Sequence, residues 1–174
     1  IGEIPQDKKY HAEDDTWLEI GDDNTIREFC TINTGTLGGG GLTRLGNDNW
    51  LMAYVHIAHD CIVGSHCILA NGVTLAGHVT VHDNAIIGGL SAVHQFVRIG
   101  SHVMISGGSL VRKDVPPFVK AAHDPLAYVG INSIGLRRRG FSNEAVSVIQ
   151  DIYRILFVRG INTSNAIESI LNEI

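Results

Sequence analysis

The chain has 174 residues, 44% of them hydrophobic and 18% charged, which suits one cored domain and excludes a disordered chain. A formal charge of −5 with histidine neutral argues against general nucleic-acid binding, and no apolar run reaches the ~18 residues of a membrane span. The three cysteines, an odd number, form neither a disulfide framework nor a metal knuckle, and no signal peptide is visible, so the expected compartment is the cytoplasm.

In chain order, a polar, loop-like stretch comes first, residues 5 to 17 (PQDKKYHAEDDTW). Ile20, Ile26 and Ile32 then recur at a step of six. TLGGGGLT, residues 36 to 43, interrupts the step. Four glycines can cradle a phosphate, but no Lys-Ser or Lys-Thr follows, so the P-loop reading fails. A mobile loop thrown out of a coil corner is expected instead. The step resumes at Leu45 and runs through Leu51, Ile57, Val63, Leu69, Leu75, Val81, Ile87, Val93, Ile99, Ile105 and Val111.

A helix has a period of 3.6 and a simple strand a period of 2, so neither accounts for six. Hexapeptide periods mark a parallel β-helix. Resemblance to the known repeat makes this the left-handed form, with three hexads, eighteen residues, in each triangular coil. Coils would stack at roughly 4.8 Å, the ordinary inter-strand spacing. Cys30, Cys61 and Cys67 all fall two residues before an aliphatic position, which predicts tight inward packing for them.

Pro116 and Pro117 end the coils. Residues 118–141 read as an irregular connection. Ser142 can cap a helix, SNEAVSVIQDIYRILFVRG, with Val146, Ile149, Ile152, Tyr153 and Leu156 at helical spacing and Gly160 as its stop. A second helix is predicted from Thr163 or Ser164, with Ile167, Ile170, Leu171 and Ile174 on one face. The expected organisation is a mainly β chain: a β-helix over 1–117, a connecting loop over 118–141 and a small α-helical region over 142–174. The pattern is already under way at Ile1 and is still running at the last residue, so further coils before it and further helix after it are expected.

An eighteen-residue coil sorts outward residues into columns. One carries His59, Gly77 and Gln95, flanked by Asp60, His78 and Phe96 and by Ala58, Ala76 and His94. A second carries Ala53, Asn71, Gly89 and Gly107. A third, with Ser65, Asp83 and Ser101, is polar and is expected to face solvent, with His66, His82 and His102 as surface residues. One wet face and two unusual ones suggest a three-fold oligomer with clefts between adjacent prisms. In the first column a base, a glycine amide and a polar anchor stand in file, as acyl transfer requires.

At these residues the chain resembles the UDP-N-acetylglucosamine O-acyltransferases of lipid A biosynthesis. IGEIPQDKKY, EIGDDNTIRE, GGGLT, HIAHDC, LAGHVTV, AIIGGLSAVHQF, IGSHVMISGGS, DVPPFV and GLRRRGFS carry the likeness along nearly the whole chain. The bare repeat is common to many transferases; HIAHDC with AGH, VHQF and GLRRRGFS is specific. The resemblance implies transfer of an R-3-hydroxyacyl group from acyl carrier protein to the 3-hydroxyl of UDP-N-acetylglucosamine. It also implies a homotrimer with sites between subunits, and no metal or other cofactor. His59 matches the general base, Asp60 the residue that orients it, and the Gly77 amide the oxyanion donor. Asp7, His56, His78, His94 and Gln95 match positions around the sugar nucleotide or acyl group, with Lys9 expected as a neighbour. Asn132, Arg138 and Arg139 match the segment that reaches the nucleotide and acyl-chain region, and Gly107 the position that sets acyl length, where glycine favours a longer chain.

Each assignment has a plainer rival. His56 serves equally well as a hydrogen-bond neighbour, and Arg137 to Arg139 as a solvated run, although paired arginines suit a pyrophosphate. Arg112, Lys113 and Lys120 either receive the acidic carrier or form a solvated rim. The alternative activities are the related N-acyltransferase of an acylated glucosamine nucleotide, a zinc carbonic anhydrase using His59, His78 and His94, and a non-catalytic scaffold trimer.

Overall fold

The computed structural model describes residues 1–11 and 13–174. Short strands recur along the chain: β1 (Trp17–Ile20), β2 (Thr25–Ile26), β3 (Thr31–Ile32), β4 (Leu42–Leu45), β5 (Trp50–Leu51), β6 (His56–Ile57), β7 (Ile62–Val63) and β8 (Ile68–Leu69). They continue as β9 (Thr74–Leu75), β10 (Thr80–Val81), β11 (Ile86–Ile87), β12 (Ala92–Val93), β13 (Arg98–Ile99), β14 (Met104–Ile105) and β15 (Leu110–Val111). Every third strand stacks in parallel on its predecessor. The first sheet runs β1-β4-β7-β10-β13, the second includes β2-β5-β8-β11-β14, and the third runs β3-β6-β9-β12-β15. The result is a parallel β-solenoid with three faces.

Register follows the aliphatic ladder. Ile57 pairs with Leu75, Val63 with Val81 and Leu69 with Ile87, each eighteen residues on. Leu45, Leu51, Ile57, Leu69, Leu75, Ile87, Ile99 and Ile105 are buried along the prism axis. Cys61 and Cys67 are buried there too, and desolvation pushes their thiols up to about 12 and about 11. Both are inert packing groups, as the spacing predicts; Cys30 is half-buried.

The corners carry the conformational strain. Tyr54, Asp60, His66, His78, Asn84, Leu90, Phe96 and His102 all sit at positive φ, between 58° and 66°. The left-handed region costs a non-glycine residue about 1–2 kcal/mol. Ladder bonds hold these corners in place: His78 N–H donates to His59 O at 3.1 Å and Phe96 N–H to Gly77 O at 3.2 Å.

Below β4 the pairing step is longer. Ile20 pairs with Leu45 and Ile32 with Ile57, twenty-five residues on, so seven extra residues leave the coil between Ile32 and Leu42. The chain leaves at the same edge after Glu3, which bridges to Asn33, and rejoins the first sheet at Trp17. Both interruptions of the repeat thus emerge between the third and first sheets.

Residues 118–141 are more ordered than their composition suggests. β16 (Val119–Ala122) pairs with β14 and extends the second sheet, and β17 (Ala127–Ile131) folds back antiparallel on β16. α1 (Ser133–Arg138) follows, capped by Asn132. The hairpin covers the open end of the solenoid, where Ala121 and Ile131 find apolar neighbours. α2 (Asn143–Phe157) starts at the Ser142 cap and buries Val146, Tyr153 and Ile155. The Tyr153 hydroxyl donates to Pro117 O at 2.6 Å and locks the helix onto the coil end. α3 (Thr163–Glu173) packs on α2 through Ala166. Its apolar face differs from expectation: Ile167 and Leu171 are exposed, on the side turned away from α2.

Candidate active site

His59 and Asp60 occupy the corner between β6 and β7. The His59 imidazole points away from the aliphatic interior and keeps 15% of its surface exposed, while the Asp60 side chain keeps 1%. Nδ1 of His59 lies 2.7 Å from Asp60 Oδ2. The remaining carboxylate contacts also come from donors: Thr36 N–H gives to Oδ1 at 2.7 Å and the Thr36 hydroxyl to Oδ2 at 2.6 Å. Against an ionised carboxylate, Nδ1 must carry the ring proton, which leaves Nε2 with its lone pair free.

Gly77 stands one coil above. A Cβ built there would lie 2.5 Å from Cε1 and 2.8 Å from Nε2 of His59, so the imidazole occupies the space a side chain would need. His78 meets the His59 ring edge-on at 5.1 Å and stacks on Phe96 at 4.5 Å. Its Nδ1 is 3.7 Å from Asp60 Oδ2, too far for a hydrogen bond. His56 faces outward from β6, with Nδ1 2.7 Å from the Thr31 hydroxyl. Desolvation, then the nearby His59, holds its imidazole below the usual histidine range. His94 and Gln95 are exposed one further coil up, and His94 Nδ1 contacts Gln95 O at 3.2 Å. Asp7 and Lys9 lie in the loop that leaves the same edge below, where Asp7 Oδ1 accepts from Lys9 N–H.

The other candidate residues sit elsewhere on the prism. Asn132 is 3% exposed, and its amide is used within the chain: Nδ2 donates to His102 O and Oδ1 accepts from Gly135 N–H. It is first of all a buried helix cap. Arg139 Nε donates to Asn84 Oδ1 at 3.0 Å. Asn84 and His102 both turn from the first sheet into the second, so this is a different edge from that of His59. Arg138 is exposed there, and Arg137 is tied to Asn143. Gly107 lies on the third edge, between the second and third sheets, where a Cβ would meet Gly89 O at 3.1 Å.

One expectation for the polar edge is corrected. His66 and His82 are exposed, but His102 is half-buried under Phe118 and Phe141, at ring separations of 5.7 and 5.1 Å. The C-terminal segment folds over that corner, and burial, with Arg139 adding to it, pushes the His102 imidazole down. The zinc reading placed its three histidines between subunits, and within one chain only two of them come together. The donors that gather within 4.8 Å among the described residues are His59, Asp60 and His78; His94 is not one of them.

Residues 43–77 match the family described as bacterial transferase hexapeptide (six repeats), and residues 114–174 match that of UDP-N-acetylglucosamine O-acyltransferase, domain 2. The UDP-N-acetylglucosamine acyltransferase of Bacteroides fragilis superposes on the whole chain with a TM-score of 0.97 and 49% identity, and the chain covers 68% of it. The chain belongs to the UDP-N-acetylglucosamine O-acyltransferase family. The Arabidopsis UDP-N-acetylglucosamine acyltransferase, at 38% identity, matches with a TM-score of 0.93 over 99% of this chain and 61% of its own. A curated relative from Thiobacillus denitrificans, acyl-[acyl-carrier-protein]--UDP-N-acetylglucosamine O-acyltransferase, is 57% identical over 92% of this chain. The chain spans 62% of that relative's length.

Sequence reading of this family member missed Thr36 and Thr43. Thr36 donates twice to Asp60, and the Thr43 hydroxyl accepts from Asp60 N–H at 2.8 Å. The glycine loop is correspondingly not free: Gly39 lies against the carboxylate so closely that a Cβ there would collide with it. The available signal was that a threonine flanks the glycine run on each side of the interruption.

Proposed function

We propose that this chain carries the catalytic edge of an enzyme that transfers an R-3-hydroxyacyl group from acyl carrier protein to the 3-hydroxyl of UDP-N-acetylglucosamine, the first step of lipid A biosynthesis. The observation that carries the reading is an imidazole fixed by a buried carboxylate directly against a glycine of the next coil. Nε2 of His59 removes the hydroxyl proton as the oxygen attacks the thioester carbonyl. The charge on the carbonyl oxygen is met by the Gly77 N–H, which donates to no backbone acceptor among the described residues. Collapse of the tetrahedral intermediate breaks the C–S bond, and the imidazolium returns the proton to the departing thiolate. Asp60 steadies the imidazolium meanwhile.

The assembly proposed is a homotrimer in the cytoplasm. Residues assigned to one active site lie on separate edges of one prism: His59 on the first, Arg139 on the second, Gly107 on the third. A hexad side spans roughly 15–20 Å at ~3.3 Å per residue, which supports a site completed by a second copy. The outward residues of the second sheet support such contact, since Trp50 and Met104 are apolar and exposed. Within the site we assign Asp7, Lys9, His56, His78, His94 and Gln95 to the sugar nucleotide and acyl group, and Gly107 to acyl-chain length. Arg112 and Lys113 line an apolar cavity of about 560 Å³ at the coil end and suit an acidic carrier protein. No helix among the described residues is long and apolar enough to cross a membrane.

The test incubates the protein with acyl-loaded carrier proteins of several chain lengths and, in parallel, UDP-N-acetylglucosamine or the acylated glucosamine nucleotide with its free amine, and weighs the products by mass spectrometry. An O-acylated nucleotide sugar is expected, and its loss in His59→Ala. Acylation only of an amino acceptor would point to the N-acyltransferase instead.

A further inference from the structure

The glycine loop that breaks the repeat ends on the catalytic carboxylate, and its contacts have a direction. Thr36 Oγ1 accepts from Gly39 N–H at 3.2 Å, closing the single 3-10 turn Leu37–Gly39. The same oxygen lies 2.6 Å from Asp60 Oδ2. An ionised carboxylate only accepts, so the hydroxyl hydrogen must point at Oδ2. Thr36 N–H secures Oδ1 at 2.7 Å, and the Thr43 hydroxyl accepts from Asp60 N–H. The carboxylate is thereby gripped at both oxygens from below, with one remaining direction open on Oδ2, toward His59 Nδ1.

We infer that Thr36 is a positioning residue for the proposed His59–Asp60 pair: the glycine loop is a clamp that fixes the Asp60 rotamer and, through it, the Nδ1–H tautomer of His59. The inference rests on the functional reading above only for its kinetic consequence. Its structural consequence concerns which ring nitrogen holds the proton. Gly39 belongs to the same device, because any side chain there would displace the Asp60 carboxyl. Within the run, Gly39 is the glycine used for close backbone approach to an anion carried by the protein itself.

Two measurements separate the two ideas. Ring ¹⁵N NMR of the full chain reads the His59 tautomer without any turnover. The parent is expected to show the Nδ1–H form alone and Thr36→Val, which keeps the shape and removes the hydroxyl, a mixture of both. Thr36→Ser is expected to restore the single form. A single Nδ1–H tautomer in Thr36→Val overturns the inference, whether or not the protein is an acyltransferase. In the acyl-transfer assay, Thr36→Val should lower kcat at least tenfold, leave KM for UDP-N-acetylglucosamine within about twofold, and recover with serine. An inactive parent counts against the functional reading and leaves the NMR result to decide the clamp. Unchanged kcat in Thr36→Val, or equal loss in the serine variant with an intact fold by circular dichroism, also overturns it.

Discussion

The edge bearing His59 and the edge bearing Arg139 are made from the same hexads, but they are held in different ways. Along the first, Ile57 sits in register with Leu75 and His78 donates to the backbone of His59, so each level braces the next. Along the second, Arg139 reaches Asn84 across 55 residues and Asn132 reaches His102 across 30, so the contacts depend on the C-terminal segment docking on the coils. Proton transfer tolerates little displacement, and the proposed base sits where the contacts come from the coils themselves; the same backbone ladder runs up the second edge, where His102 N–H donates to Asp83 O, but the side chains there meet a docked segment. Grip on a bulky nucleotide tolerates more and is assigned to the docked segment.

The comparison breaks first if the rigid edge is not the chemical one. His59→Ala removes the proposed base, and general-base catalysis contributes about 10²–10⁴-fold, so turnover should fall within that range while the thermal transition stays put. Steady-state kinetics beside a melting curve checks both halves; full turnover by a folded variant would remove the basis of the proposal. Gly77→Ala comes next. The new methyl group would press on Cε1 and Nε2 of His59, and the ring is the softer partner. A loss of roughly 100-fold is expected, in kcat and not in KM, since the ring leaves its alignment and the nucleotide contacts stay.

The second edge should respond in the opposite sense. Arg139→Ala is expected to raise KM for UDP-N-acetylglucosamine about 10-fold and to leave kcat within about threefold, in line with ~1.5–3 kcal/mol for a hydrogen bond to a charged group. Asn84→Ala, which frees the guanidinium without removing it, should give a smaller rise of the same kind. A fall in kcat with KM unchanged in either variant would place Arg139 on the chemistry and erase the distinction between the edges.

How far each edge can be read along the chain follows from the same difference. A strict step of eighteen makes His59, Gly77 and Gln95 neighbours by backbone pairing alone, so their file is visible without coordinates. Thr36 falls outside that arithmetic because it lies within the segment where the coil ejects seven extra residues, and its contact with Asp60 depends on loop conformation. The hairpin of β16 and β17 was hidden by composition, although VKAA and AYVGI on either side of Asp124-Pro125 form a strand-turn-strand pattern. Asn132 was read for its resemblance alone; an Asn directly before a short helical run also signals a cap. His102 was placed in water because the column count cannot foresee a later segment folding over the corner.

That last correction carries the smallest prediction. Among the described residues His102 Nδ1 is buried without a hydrogen-bond partner, under Phe118 and Phe141, with Arg139 and Asp83 as its charged neighbours. Burial is the larger cause and Arg139 the second; both hold the folded-state imidazole below its ordinary value, and Asp83 opposes them. Between the lowered value and the usual ~6.5, the unfolded chain binds more protons than the folded one. Stability is therefore complete above that range and is lost as pH falls through the folded value. His56 adds to the same trend, since burial lowers it as well. The thermal midpoint should drop between pH 7.5 and pH 5, and His102→Gln should flatten part of that drop, by about 2–4 °C or less. Arg139→Ala should flatten it too, because removing the guanidinium eases protonation of the ring. An identical pH dependence in His102→Gln and the parent would mean that the docked segment opens before the ring titrates, and that the second edge is looser than its hydrogen bonds to Asn84 and His102 imply.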